Sequence, residues 1–252
     1  MQESIDRIYT VIKREVLSYF TSPLAYIFII IFLLLSGFFT FSAPPFGNFL
    51  NSNQASLAFS FFPYHSWLYL VLVPPISMRL WSEEQKNGTI EILFTTQISI
   101  LEAVIGKFIS AWIIILISLF LTFPIIITVN WLGTPDNNII ISGYLGSALL
   151  GAGFLSIGCM TSAMSKNQII SYIYSMILCL LLILFGHQSV TNYFTSWAPV
   201  WFTTTLGQLS IFPHYKFIIN GIIDVGDIIY FISIIIFGLF ATVVILNTKR
   251  NS

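Results

Sequence analysis

Long apolar runs separated by short polar stretches dominate the chain. Six can be marked out, at residues 24–41, 60–80, 104–131, 140–164, 168–185 and 228–246. About 20 apolar helical residues cross a bilayer, so the pattern predicts an all-α integral membrane protein with six transmembrane helices. Pro63, Pro74 and Pro75 interrupt the second run and Pro124 the third; each removes a backbone donor and should kink its helix. Residues 4–21 follow a different pattern. Ile5, Ile8, Tyr9, Ile12, Val16, Tyr19 and Phe20 share one arc of a helical wheel, with Arg7, Thr10, Lys13 and Arg14 on the other. This predicts a helix lying in the membrane interface, with Ser22-Pro23 opening the first span. Its amphipathic character, and Pro44-Pro45 after Ala43, argue against a cleaved signal peptide. In the fourth run, Gly143, Ser147 and Gly151 recur at every fourth position, as do Ala148, Ala152 and Ser156, then Gly158 and Ser162. Such stripes let helices approach closely in lipid, and neighbours from the same chain are the expected partners.

Composition strengthens the membrane reading. The chain is 56% hydrophobic and 8% charged, where a soluble domain is about 25% charged. With net charge +0, no nucleic-acid partner is expected. With six spans, Arg7, Lys13, Arg14, Arg79, Lys86, Lys107, Lys166, Lys249 and Arg250 fall on the side of the termini and only Lys216 opposite. Basic residues mark the cytoplasmic side, so both termini are expected there. Cys159 and Cys179 lie in apolar runs and are expected in the core, unbridged.

Little catalytic chemistry is legible. No Asp, Glu, Lys or Arg lies near the middle of any predicted span, which argues against a proton- or sodium-driven transporter. His65, His187 and His214 map to the side away from the termini, too scattered for a metal site. There is no His-Glu-x-x-His and no Gly-x-Ser-x-Gly. Gly106-Lys107 is a poor phosphate loop, with Leu101 in place of its first glycine and Phe108 in place of Ser or Thr. Any ATP would be bound by another chain.

Charge gathers in residues 81–99. Asn87-Gly88 is a turn signal, Thr89 opens a short amphipathic run, and Ser99 with Glu102 makes a capping box for the next span. The expected order is span, charged turn, short helix, capped span. Glu83, Glu84 and Glu91 would then face water or a partner: either a docking element or a solvated connection.

These residues resemble the permease subunit of ABC-2 type transporters. The shared pattern is Arg79, Glu83, Glu84, Gly88, Thr89, Glu91 and Leu93, then Gly106-Lys107 in the next span. A second likeness lies in 209–231, at Pro213, Tyr215, Phe217, Gly221 and Asp227. The nearest variety is the short gliding-motility-associated permease. The resemblance covers nearly the whole chain, 1–252, as a single transmembrane domain. It implies a coupling helix at 88–94 seated on a cytoplasmic ABC ATPase, with Glu83, Glu84, Gly88, Thr89, Glu91 and Leu93 as the coupling site. Glu83, Glu84 and Glu91 would hold the coupling helix to the ATPase or to the interfacial helix. Segment 186–227 would form re-entrant helices on the outer side, which suits Trp197, Trp201, Phe202 and Phe212. The chain itself would bind no cofactor; ATP and Mg would sit in the ATPase. A second permease, identical or related, and membrane lipid would be the other partners, in a prokaryotic inner membrane. A large extracellular domain, which some relatives carry, is missing. The implied function is the permease of an exporter; the apolar spans without ionisable groups suit an amphipathic, lipid-linked or peptide substrate better than a bare ion. The alternative is a non-transporting membrane anchor that passes ATPase-driven motion to an envelope machine. A secondary transporter and an intramembrane enzyme have less behind them.

Overall fold

The structure is a computed structural model that describes residues 2–42, 49, 56–91, 98–187, 190 and 199–251, with regular structure that is helical throughout. Helix α1 (Gln2–Thr21) ends before Ser22, and Pro23 opens α2 (Pro23–Phe41). A one-turn helix α3 (Leu57–Ser60) leads into α4 (Phe62–Ser77) and α5 (Arg79–Asn87). Pro74 and Pro75 sit inside α4, and their missing N–H groups weaken the ladder just before the break at Met78. The third run divides into α6 (Ile100–Phe120) and α7 (Phe123–Leu132). Pro124 cannot donate to the Phe120 carbonyl, and Thr122 at the break donates to the Leu119 carbonyl at 2.6 Å. Then follow α8 (Asn137–Met164), α9 (Gln168–Leu184), the short α10 (Val200–Leu209) and α11 (Ile211–Ile219), and α12 (Val225–Asn251).

Among the described residues, five stretches are long and apolar enough to cross a membrane: Pro23–Phe41, Leu57–Asn87, Ile100–Leu132, Asn137–Met164 and Val225–Arg250. The sixth predicted span, Gln168–Leu184, has 17 residues. That is about 26 Å of helix against a hydrocarbon layer of about 30 Å. The chain is thus an all-helical, multi-pass membrane protein.

Helix α8 is the hub, against which α4, α6, α9, α11 and α12 all pack. Its small residues make this possible within the one chain. A Cβ on Gly158 would stand 2.0 Å from Ser77 Oγ, so α4 lies directly on that stripe. Cys159 and Cys179 are buried free thiols, as expected.

Helix α1 divides its predicted apolar arc between the protein and the outside. It packs on α6 and α2, and its inward row is Ser4, Ile8, Val11, Glu15 and Tyr19, each buried or half-buried. Ile5 and Tyr9, placed on the apolar arc from sequence, are exposed. The helix therefore has three sectors: one on the protein, one apolar and outward, one charged. A two-sector wheel cannot show that division.

Candidate functional site

Among the described residues, the charged segment keeps the expected turn at Gly88 and the helix resuming after it, but the residues before Gly88 are helix α5 instead of an open turn. Leu80, Trp81, Ser82 and Gln85 of α5 are buried, while Lys86 is exposed. Met78 cannot cap α5. Ser162 of α8 does so instead: its Oγ accepts from the Trp81 and Ser82 backbone N–H at 3.0 and 3.1 Å and donates to the Met78 carbonyl at 2.8 Å. Gly88 then ends α5 at φ 72°, a left-handed conformation suited to glycine. Thr89, Ile90 and Glu91 resume helix.

Lys107 of α6 organises the site, with its side chain 3% exposed. Its ammonium meets the Leu80 carbonyl at 3.0 Å, Glu84 Oε1 at 2.8 Å and Glu15 Oε1 at 3.4 Å. An ammonium has three donors, and each has an oxygen here. The charge also lies 5.1 Å from the centre of the Trp81 ring, within cation–π range. Arg14 donates to the same Glu15 oxygen at 2.7 Å. One ammonium thereby joins α1, α5 and α6. Gly106 allows the approach: a Cβ there would lie 2.7 Å from Val11 Cγ1 on α1. Burial pushes the Glu15 carboxyl up, but Lys107 and Arg14 beside it outweigh this and hold it below the usual carboxylate value.

Further contacts brace the same end. The predicted capping box is present, with Ser99 N–H donating to Glu102 Oε2 at 2.8 Å and Glu102 N–H to Ser99 Oγ at 3.2 Å. Ser4 of α1 also donates to Glu102. Gln85 donates to the Ala163 carbonyl at 2.9 Å. Lys249, near the end of α12, donates to Gln85 Oε1, the Ala163 carbonyl and the Met164 carbonyl at 2.7, 2.8 and 3.2 Å. The cation thus caps the C-terminus of α8 and fastens α12 to α5.

The residues singled out from sequence separate into different roles. Glu84 is not an open docking acid; it turns in to Lys107. Glu83 pairs with Arg79 at 2.8 Å within α5. Gly88 and Thr89 are exposed at the turn, and Glu91 is exposed beyond it. Leu93, Phe94 and Trp197 lie outside the described residues. Glu15, Gln85, Ser162 and Lys249 were missed. For Lys107 the available signal was a lone cation one turn into an apolar run, opposite surplus acids upstream.

The arrangement is a set of ionic and hydrogen-bonded links between helices. These links tie the 79–91 segment to α1, α6, α8 and α12. Among the described residues, no group of three or more His, Cys, Asp or Glu could hold a metal ion. Compared with known proteins, the chain matches no family model and no curated protein sequence.

Proposed function

We propose that the chain is the transmembrane permease subunit of an ATP-binding-cassette exporter, driven by a separate cytoplasmic ATPase that holds ATP and Mg. In this reading α9 is the sixth span, the α5 end of the bundle is cytoplasmic and carries both termini, and α10 and α11 are the outer re-entrant pair. Two such chains, or this one and a related permease, work together in a prokaryotic inner membrane. The observation that carries the reading is the Lys107 cluster. It makes the turn at Gly88 the protruding tip of a lever whose base is clamped to α1 and α6. An ATPase seated on Thr89 and Glu91 would move spans, not a loose loop. Helix α9 supports the sixth crossing. It starts just after Met164 at the α5 end, and its Leu182 carbonyl accepts from Ser210 at 2.8 Å beside α11.

Purification from the native membrane in mild detergent tests this directly. The expected result is a co-purifying ABC ATPase at one-to-one with the permease. An intact complex without any ATPase would overturn the proposal. An ATPase with no substrate-stimulated hydrolysis would favour the anchor.

A further inference from the structure

At the end of the bundle away from α5, His214 of α11 is held on both ring nitrogens. Its Nδ1 lies 2.6 Å from Asp227 Oδ1 on α12, and its Nε2 lies 3.0 Å from the Gln208 carbonyl of α10. A carboxylate and a carbonyl only accept. Both nitrogens therefore donate, so the arrangement contains one proton more than a neutral imidazole beside a carboxylate; the count is the same if the shared proton sits on Asp227. Tyr230 stacks on the ring, with centroids 4.0 Å apart and planes 20° apart, a face that suits a cation. Asp227 is 6% exposed, and the bond from Nδ1 is the contact that joins it to α11.

None of the side chains described in α10 is buried. The Gln208 and Leu209 carbonyls at its C-terminus, which have no partner further along the helix, accept from His214 and from Tyr230 Oη at 2.6 Å. Among the described residues, the titratable groups that contact the ring are Asp227 and Tyr230 on α12; Asp224 is exposed just before that helix, and α10 meets the ring through the Gln208 carbonyl. On the ring's own helix, Lys216 is exposed, and Tyr215 points away to Ser147 and the Phe62 carbonyl, where α8 and α4 meet α11. Just past the end of α9, Gly186 packs on Ser210 and Pro213, and His187 beside it is exposed.

We propose that His214 is a proton-operated latch on α10. When protonated, it holds the C-terminal turn of α10 through the Gln208 carbonyl. On losing the Nε2 proton, it turns a lone pair on that carbonyl and releases the turn, while Nδ1 stays bonded to Asp227. Release therefore acts on α10 and spares the junction of α11 with α12. The inference does not depend on the transporter reading.

Amide hydrogen exchange on the full chain in lipid nanodiscs, corrected for intrinsic rates, tests it between about pH 5 and pH 8, the range in which histidine switches. The expected result is a loss of about tenfold in protection over α10 as pH rises, the scale of one charge-assisted hydrogen bond, with α8 and the start of α12 unchanged. His214→Gln should be weakly protected at both pH values, and His187→Gln should keep the wild-type response. The ¹⁵N resonances of the wild-type ring provide a readout that needs no variant: both nitrogens protonated at the lower pH, and only Nδ1 at the higher. Protection over α10 that is independent of pH in wild type, a ring neutral at pH 5 with Asp227 ionised, or equal loosening of α12 would each overturn the latch.

Discussion

At the α5 end of the bundle Lys107 is sealed among two carboxylates, a carbonyl and an indole face. At the opposite end, where α4, α8 and α11 meet, a second buried cluster is built from hydroxyls, a carbonyl and an imidazole instead of an ion pair. Tyr215 donates to the Phe62 carbonyl at 2.8 Å and meets Ser147 Oγ at 3.1 Å, and Ser147 meets His65 Nδ1 at 2.8 Å. Both clusters join helices distant in sequence, but they differ in what breaking them costs. A buried charge that loses its partner is stranded at high energy. A neutral hydroxyl in a membrane protein contributes about 0.6 kcal/mol on average. By that measure the charged cluster is the stiff joint of the bundle and the neutral one the soft joint.

Lys107→Met should break that contrast most severely. It leaves Glu15 and Glu84 facing each other without their shared cation, at a cost of about 3–5 kcal/mol. Thermal unfolding in detergent measures this, and adding Glu84→Gln should recover part of the loss by removing one of the stranded charges. A loss no larger than that of a surface lysine would mean that water or Arg14 replaces the ammonium.

Tyr215→Phe supplies the other half of the comparison. It removes one hydroxyl and keeps the ring, and the Phe62 carbonyl still has its place in the α4 ladder. The expected loss is about 0.5–1.5 kcal/mol by the same measurement. A loss as large as that of Lys107→Met would erase the distinction between stiff and soft ends.

These joints also mark the limit of what the sequence discloses. The apolar runs, the Ser99–Glu102 capping box, the Gly88 turn and the small-residue stripe of α8 are local patterns, and each is found in the structure. The partners of Lys107 are not local. Glu15 precedes it by a whole transmembrane hairpin, and hydropathy does not distinguish a sealed ammonium from one at the surface. Residues 79–87 suggest a loop because they are polar. They form a helix because Ser162, far along the chain, caps it, and because Trp81 and Gln85 have buried places to occupy. The inward row of α1 includes Glu15 and Ser4, which an apolar wheel assigns outward. Polar residues that face protein inside a membrane are the ones that pattern reading misplaces.

Acid should loosen the charged joint selectively. The folded carboxyl of Glu15 titrates below its ordinary value of 4.5. Its contribution is therefore complete at neutral pH and is lost as pH falls below 4.5 through the folded value. The gap in melting temperature between wild type and Glu15→Gln should be widest near neutrality and close on acidification. A gap that is constant with pH would show that the Glu15 charge contributes nothing to the joint.

Glu91→Lys should have the smallest effect on stability and separates the joint from its proposed load. Glu91 is exposed just past the turn, so reversing its charge should change stability by less than about 0.5 kcal/mol and leave membrane insertion intact. If the 88–91 tip seats on an ATPase, the same substitution should weaken co-purification of that subunit and lower ATP-dependent activity. The Lys107 variant would fail by a different route, through loss of the lever's clamp with its tip unaltered. Measuring stability and ATPase retention on both proteins distinguishes the two: Lys107→Met low in stability, Glu91→Lys low in retention alone. Full retention and activity in Glu91→Lys would remove that residue from the coupling site and leave the stiff end of the bundle without its proposed load at this position.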